Sequence, residues 1–261
     1  MQLGVCCMAT FPLRNPVVFG AQWASLDVLS GGRSLLAVCL GAPTGRGGGN
    51  FGAELEAMSV GPKERVGRLE EAIQLLRRLW SGPTSHEGGY WSFPEIDLEP
   101  KPLQQPCPIW IASNPDPLKL SPDRYEIAIR RVALLSDGWL STVVSPEDFA
   151  QRWNHIKMMA SDQGRDTRLM KSAVHLMINI QKDEETARTE AKRFLDEYYS
   201  TDVKPEVMQI WGAYGTAKQI KARIEEYREG GLDTPILRFA SFDQSQQLAR
   251  ALEDLVPSLS S

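Results

Sequence analysis

The sequence predicts an α/β fold in which parallel strands alternate with helices. Three observations carry that expectation. Short apolar runs recur at Leu3–Ala9, Ser34–Leu40, Ile109–Ala112, Gly138–Thr142, Ser172–Ile180 and Pro235–Ala240. Most are continuously apolar rather than alternating, the pattern of strands covered on both faces. Between them lie stretches of helical periodicity with readable caps, the arrangement of right-handed βα units and a parallel sheet.

Taken in order, the first strand leads to Pro16, which suits the first turn of a helix that Gly31-Gly32 ends as a left-handed cap. The Ser34–Leu40 strand runs into Ala42–Gly61, which contains G-R-G-G-G-N-F-G and reads as a flexible loop. Pro62 opens a helix to Trp80, with Val66, Leu69, Ile73, Leu76 and Trp80 on one stripe. The segment Ser85–Pro108 holds two β-like pieces, H-E-G-G-Y-W-S-F and E-I-D-L, before the Ile109 strand. In the Ser172–Ile180 strand His175 and Asn179 share a face. Thr216 is the expected N-cap of Ala217–Glu229, which carries Ile220, Ile224 and Tyr227, and Gly230-Gly231 stops it. With no internal repeat and no linker, 1–261 reads as one domain with excursions near 42–61 and 85–108.

Composition narrows the function classes. The chain has 261 residues, 42% of them hydrophobic, enough for a packed core. A net charge of −4 with interspersed signs offers no electrostatic reason to bind nucleic acid or an anionic membrane. No apolar run approaches the roughly 18 residues of a spanning helix, and the N-terminal one lacks the basic flank of a signal peptide. The four cysteines, Cys6, Cys7, Cys39 and Cys107, form no C-x-x-C pair, and adjacent Cys6 and Cys7 face opposite sides of a strand. Reduced thiols in a cytoplasmic protein are expected.

Few residues announce chemistry on their own. Gly45–Gly49 lacks the G-x-x-x-x-G-K-[ST] phosphate loop and reads as a mobile loop, with a lid over a strand-end pocket as its functional alternative. His86, His155 and His175 are too scattered for a metal site, and none is expected. No G-x-S-x-G elbow is present, and no catalytic residue is identified. Cys39, ending a buried strand, reads as packing, and Cys107 as part of a surface turn without a role. Ile109–Pro115 (I-W-I-A-S-N-P) ends a strand in small polar residues, where backbone N–H groups and a hydroxyl suit a phosphate.

Together these stretches resemble the bacterial luciferase-like flavin-dependent monooxygenase and oxidoreductase superfamily. The resemblance rests on L-G-V-C-C with its following proline, L-D-V-L-S-G-G-R, the K-E-R-x-x-R-L-E-E-A helix and H-E-G-G-Y-W-S-F. It continues through P-K-P-L-Q-Q-P-C-P-I-W-I-A-S, S-D-G-W, and G-T-A to Y-R-E-G-G-L-D. It implies a (β/α)8 TIM-type barrel with the cofactor at the carboxyl ends of the strands. Six strands are visible here, so the first two βα units are expected to be lacking and the domain N-terminally incomplete.

The resemblance further implies a flavin-dependent oxidoreductase, a monooxygenase using reduced FMN and O2 on a small organic substrate. Its alternatives are hydride transfer with the deazaflavin coenzyme F420, or a catalytically silent flavin-binding remnant. Cys6 and Cys7 fall where members carry a non-proline cis peptide behind the flavin ring, an ordinary trans strand being the alternative. Leu40 and Gly41 match the strand end that approaches the flavin, and Ala112, Ser113 and Asn114 match residues that hold its phosphate. Leu40 stands where the luciferase subunit has an arginine, so Arg46, Arg130 and Arg131 become candidates for the phosphate's counter-charge. A flavin reductase supplying reduced flavin is the implied partner, and a homo-oligomer the implied assembly. The pocket is expected to be shaped by Ala42–Gly61 and Tyr199–Gly212.

Overall fold

The fold is α/β with parallel strands, and the structure, a computed structural model, describes residues 1–41 and 51–259. All six expected strands are present, and the chain forms two compact units.

The first unit comprises Met1–Ser113 and Pro122–Gly138. It runs β1 (Leu3–Met8), α1 (Pro16–Leu29), β2 (Ser34–Val38), α2 (Phe51–Ala57) and α3 (Arg65–Ser81). It continues through the hairpin β3 (Thr84–Glu87) and β4 (Ser92–Ile96) to β5 (Ile109–Ala112) and α4 (Pro122–Leu135). β1 pairs in parallel with β2, and β2 with β5, while β3 and β4 are antiparallel. Asn15 caps α1 by accepting from Val17 N and Val18 N, Pro16 follows at the first turn, and Gly31 and Gly32 take positive φ at the end. The core forms where α3 buries Leu69, Ile73, Leu76, Leu79 and Trp80 while α1 buries Phe19, Trp23 and Ala24. Each large side chain contributes roughly 1.5–3 kcal/mol by leaving water. The Trp80 indole N–H donates to the Gly20 carbonyl at 3.0 Å and so meets its one polar need.

Three local expectations are corrected here. Helix α3 starts at Arg65, because Glu64 N bonds back to Gly61 O and closes Pro62–Glu64 as a tight turn. Part of the expected loop 42–61 is helical: α2 has good helix formers and buries Leu55. Cys107 is buried rather than in a surface turn, with its carbonyl accepting from Arg77 at 2.6 Å. The glycine run Gly45–Gly49 and Arg46 lie outside the described residues.

The second unit comprises Asn114–Ser121 and Trp139–Ser261. It contains β6 (Gly138–Thr142, whose first residue belongs to the other unit), α5 (Pro146–Asp162), β7 (Lys171–Ile180) and α6 (Glu184–Tyr199). Then come α7 (Pro205–Trp211), β8 (Gly212–Gly215), α8 (Ala217–Glu229), β9 (Thr234–Phe239) and α9 (Gln244–Arg250). β8 and β9 both run parallel to β7. Thr216 caps α8 in a full capping box with Gln219. Half of the expected loop Tyr199–Gly212 folds as α7, which has Pro205 at its first turn and buries Met208.

Gly212 opens β8 where no side chain fits. A Cβ there would strike the Met177 carbonyl and the Tyr214 ring. Gly212→Ala is therefore expected to destabilise the protein by about 1–3 kcal/mol, measured by urea denaturation. Among the described residues no helix is long and apolar enough to cross a membrane.

Candidate functional site

The parallel register of the first unit brings three strand ends to one rim. Met8 pairs with Val38, and Val38 with Ile111, so β1, β2 and β5 finish side by side. The rim continues as Cys39 N donates to Met8 O at 3.3 Å. Leu40 and Gly41 follow β2, Ala112 ends β5 and Ser113 follows it; all four are half-buried. Gly41 has φ +74°, a backbone that favours glycine and leaves the strand end bare of a side chain. The Cys6–Cys7 peptide bond is cis, the geometry the resemblance implies at this point.

The thiols of this rim are close together. Cys7 Sγ donates to Cys39 Sγ at 2.9 Å, while Cys6 is exposed. Donation from Cys7 lowers the Cys39 thiol's pKa, and the same bond together with burial pushes that of Cys7 up. Burial and the neighbouring Cys39 push Cys6 up to about 11.

Asn114 belongs to the second unit and is anchored there. Its side-chain oxygen accepts from Ser141 Oγ at 3.1 Å and from Arg152 Nη1 at 3.0 Å. Arg152, buried on α5, is a cation absent from the sequence-based list, because helical periodicity gives a face and not a partner.

Arg65 is a second residue missed by sequence reasoning. Its Nη1 donates to Leu40 O at 3.0 Å and fixes the backbone just past β2. With Ala9, Pro12, Leu13, Leu40 and Leu55 it lines an apolar recess. The K-E-R spelling places Arg65 at a helix start; only the fold shows that it reaches a strand end. Arg131 is paired with Glu70 at 2.7 Å, so its charge is already met, and Arg130 is exposed on α4.

A wider hollow of about 540 Å³ opens between α1 and α2, bounded by Leu13, Val18, Phe19, Ala57 and Met58 with Arg14 and Glu54 among its polar groups. This size is typical of small-molecule pockets. Elsewhere, His86 is held by Glu71 at 2.9 Å. His175 is half-buried, and burial, with Arg238 second, lowers its pKa. Among the described residues no three His, Cys, Asp or Glu side chains gather as a metal site.

At this rim Leu40 is apolar, the bare Gly41 backbone allows close approach, and the Ser113 hydroxyl is the kind of group that can meet an anion.

The luciferase-like monooxygenase family model matches residues 1–234. The oxygenase component of the flavin-dependent trigonelline monooxygenase of Acinetobacter baylyi is 31% identical over 122 residues, 46% of this chain and 30% of that one. A phthiodiolone/phenolphthiodiolone dimycocerosates ketoreductase of Mycobacterium bovis is 28% identical over 171 residues, 64% of this chain and 40% of that one. The chain thus spans less than half the length of these two relatives. The F420-dependent glucose-6-phosphate dehydrogenase of Amycolatopsis mediterranei is 25% identical over 99% of this chain and 79% of its own. Among solved structures, an F420-dependent secondary alcohol dehydrogenase in complex with an F420-acetone adduct superposes with a TM-score of 0.77. It has 17% identity and covers 99% of this chain and 79% of its own. The monooxygenase RslO1 from Streptomyces bottropensis gives 0.74 at 20% identity, covering 99% and 78%.

Proposed function

Because the chain belongs to the luciferase-like monooxygenase family, we propose that it is a flavin-dependent monooxygenase using reduced FMN and O2 on a small organic substrate. The observation that carries this reading is the rim formed by the ends of β1, β2 and β5, inside the stretch the family model covers. When bound, reduced flavin supplies the electrons that activate oxygen. The chain's own residues bind, orient and exclude water. Cys6 and Cys7 stand behind the ring, and Leu40 and Gly41 lie against it. Ala112, Ser113 and the N–H groups after β5 hold the phosphate, with Asn114 shaping that turn. The hollow beside α1 takes the organic substrate. A separate flavin reductase is the proposed partner, in line with the "oxygenase component" description of the trigonelline relative.

A second reading is hydride transfer with F420 and no oxygen chemistry. It is favoured by the dehydrogenase relative, whose similarity runs over 99% of the chain.

Dissociation constants for FMN and F420, measured by fluorescence on the purified protein, test both. Binding of neither removes the proposal, and a clear preference for F420 selects the second reading. Ser113→Ala is expected to weaken FMN about ten- to a hundredfold, the worth of one hydrogen bond to a charged group. Riboflavin, which lacks the phosphate, is expected to bind this variant as it binds the parent protein. Equal losses for the two ligands would displace Ser113 from the phosphate.

A further inference from the structure

We propose that Cys7 and Cys39 are a dithiol that hydrogen peroxide oxidises to a disulfide joining β1 to the residue that follows β2. The geometry comes first. Their sulfurs lie 2.9 Å apart, Cys7 in β1 and Cys39 directly after β2, where the two strands pair in parallel through Met8 and Val38 and Cys39 N donates to Met8 O. Both thiols are half-buried, so a small oxidant reaches them while larger reagents are hindered.

The two sulfurs are not equivalent. Cys7 donates its S–H, which favours the thiolate on Cys39 and holds the proton on Cys7. Thiolates are the nucleophiles in this chemistry. The Cys39 thiolate attacks one peroxide oxygen; the O–O bond breaks, hydroxide leaves and Cys39 becomes a sulfenic acid. The Cys7 sulfur then attacks the Cys39 sulfur. The S–O bond breaks, the S–S bond forms, and the hydroxyl leaves as water with the Cys7 proton. Overall two thiols and one peroxide give one disulfide and two waters, each sulfur losing one electron. Cys6, exposed and held protonated, is the wrong thiol for the first step although it is adjacent in sequence. Cys107 is buried, with its sulfur 3.9 Å from the Ser34 hydroxyl.

The test needs no cofactor. Native protein is treated with a small excess of hydrogen peroxide, then unfolded and alkylated. Two of the four thiols are expected to be lost and to return with dithiothreitol. Trypsin is expected to yield a peptide joining residues 1–14 to residues 34–46, and the same peptide is expected from Cys6→Ser. It is expected to be absent from Cys7→Ser and Cys39→Ser. A link that persists in Cys7→Ser, a Cys39 sulfinic acid without a link, a link through Cys107, or four intact thiols would each overturn the proposal. If either single variant fails to fold, the peptide map of the parent and of Cys6→Ser decides the matter, because only Cys7 remains to pair in the latter.

Discussion

Replacing Trp139 with alanine is expected to lower the unfolding free energy by about 3–5 kcal/mol, the largest effect foreseen for a single substitution. Trp139 is fully buried in β6 and lies in a row of aromatic rings. Phe149 stacks on it with centroids 5.0 Å apart and planes 18° from parallel, and Trp153 does so at 6.2 Å and 15°. Tyr227 meets Phe149 edge-on and donates its hydroxyl to Val144 O at 2.6 Å, tying α8 to the turn before α5. Removing the indole leaves a cavity that these rings, held by their own helices, cannot fill, so the transfer and void terms add. Trp139→Phe keeps a stacking face and is expected to recover about half of the loss. Urea unfolding of the three proteins provides the check; a loss under about 1 kcal/mol for alanine would mean that the row does not support the unit.

The second large effect is expected at Glu71. This α3 carboxylate accepts from His86 Nε2 at 2.9 Å and from the backbone N–H groups of Gly89, Tyr90 and Trp91, each at 3.2 Å. Glu71→Ala leaves these donors without their acceptor and frees the β3–β4 turn, for an expected cost of roughly 2–3 kcal/mol. Burial pushes the carboxyl's pKa up, but the donations from His86, Trp91 and Tyr90 outweigh it and hold the group below the ordinary glutamate value of 4.5. A depressed folded-state value means that the contribution is fully present above pH 4.5 and is lost as pH falls through the folded value. The stability gap between the parent and Glu71→Gln is thus expected to be constant near neutrality and to narrow below pH 4.5. Denaturant titrations across that range measure it; a gap that widens on acidification contradicts the assignment.

Much of the fold is legible because it rests on local chemistry. Thr216 and Gln219 announce the start of α8 by three-residue spacing, and Gly31 and Gly32 mark the end of α1 because only glycine adopts their positive φ cheaply. The motif set is legible as a family pattern, and the structure supplies its reasons. In S-D-G-W, Asp137 accepts from Ile109 N at 2.8 Å and pairs with Arg77, fixing the start of β5, while Trp139 fills the other unit's core. The R-L-E-E-A helix and H-E-G-G-Y-W-S-F belong together because Glu71 of one grips the backbone of the other. What is not legible depends on long-range register. Cys7 and Cys39 meet only once β1 and β2 pair, and Arg65 reaches Leu40 only across a turn of the fold. The helix α2 is masked by its glycine-rich approach, which suggests a loop throughout.

The excursion between α3 and β5 is held by carboxylates that lie outside it. Glu71 grips one end, and buried Asp27 of α1 accepts from Gln104 N at 3.0 Å and Gln104 Nε2 at 2.7 Å at the other. It is consequently not a self-contained cassette. A chimaera that transplants residues 84–104 into a relative inherits its shape only if the recipient already presents an acid at both anchor points.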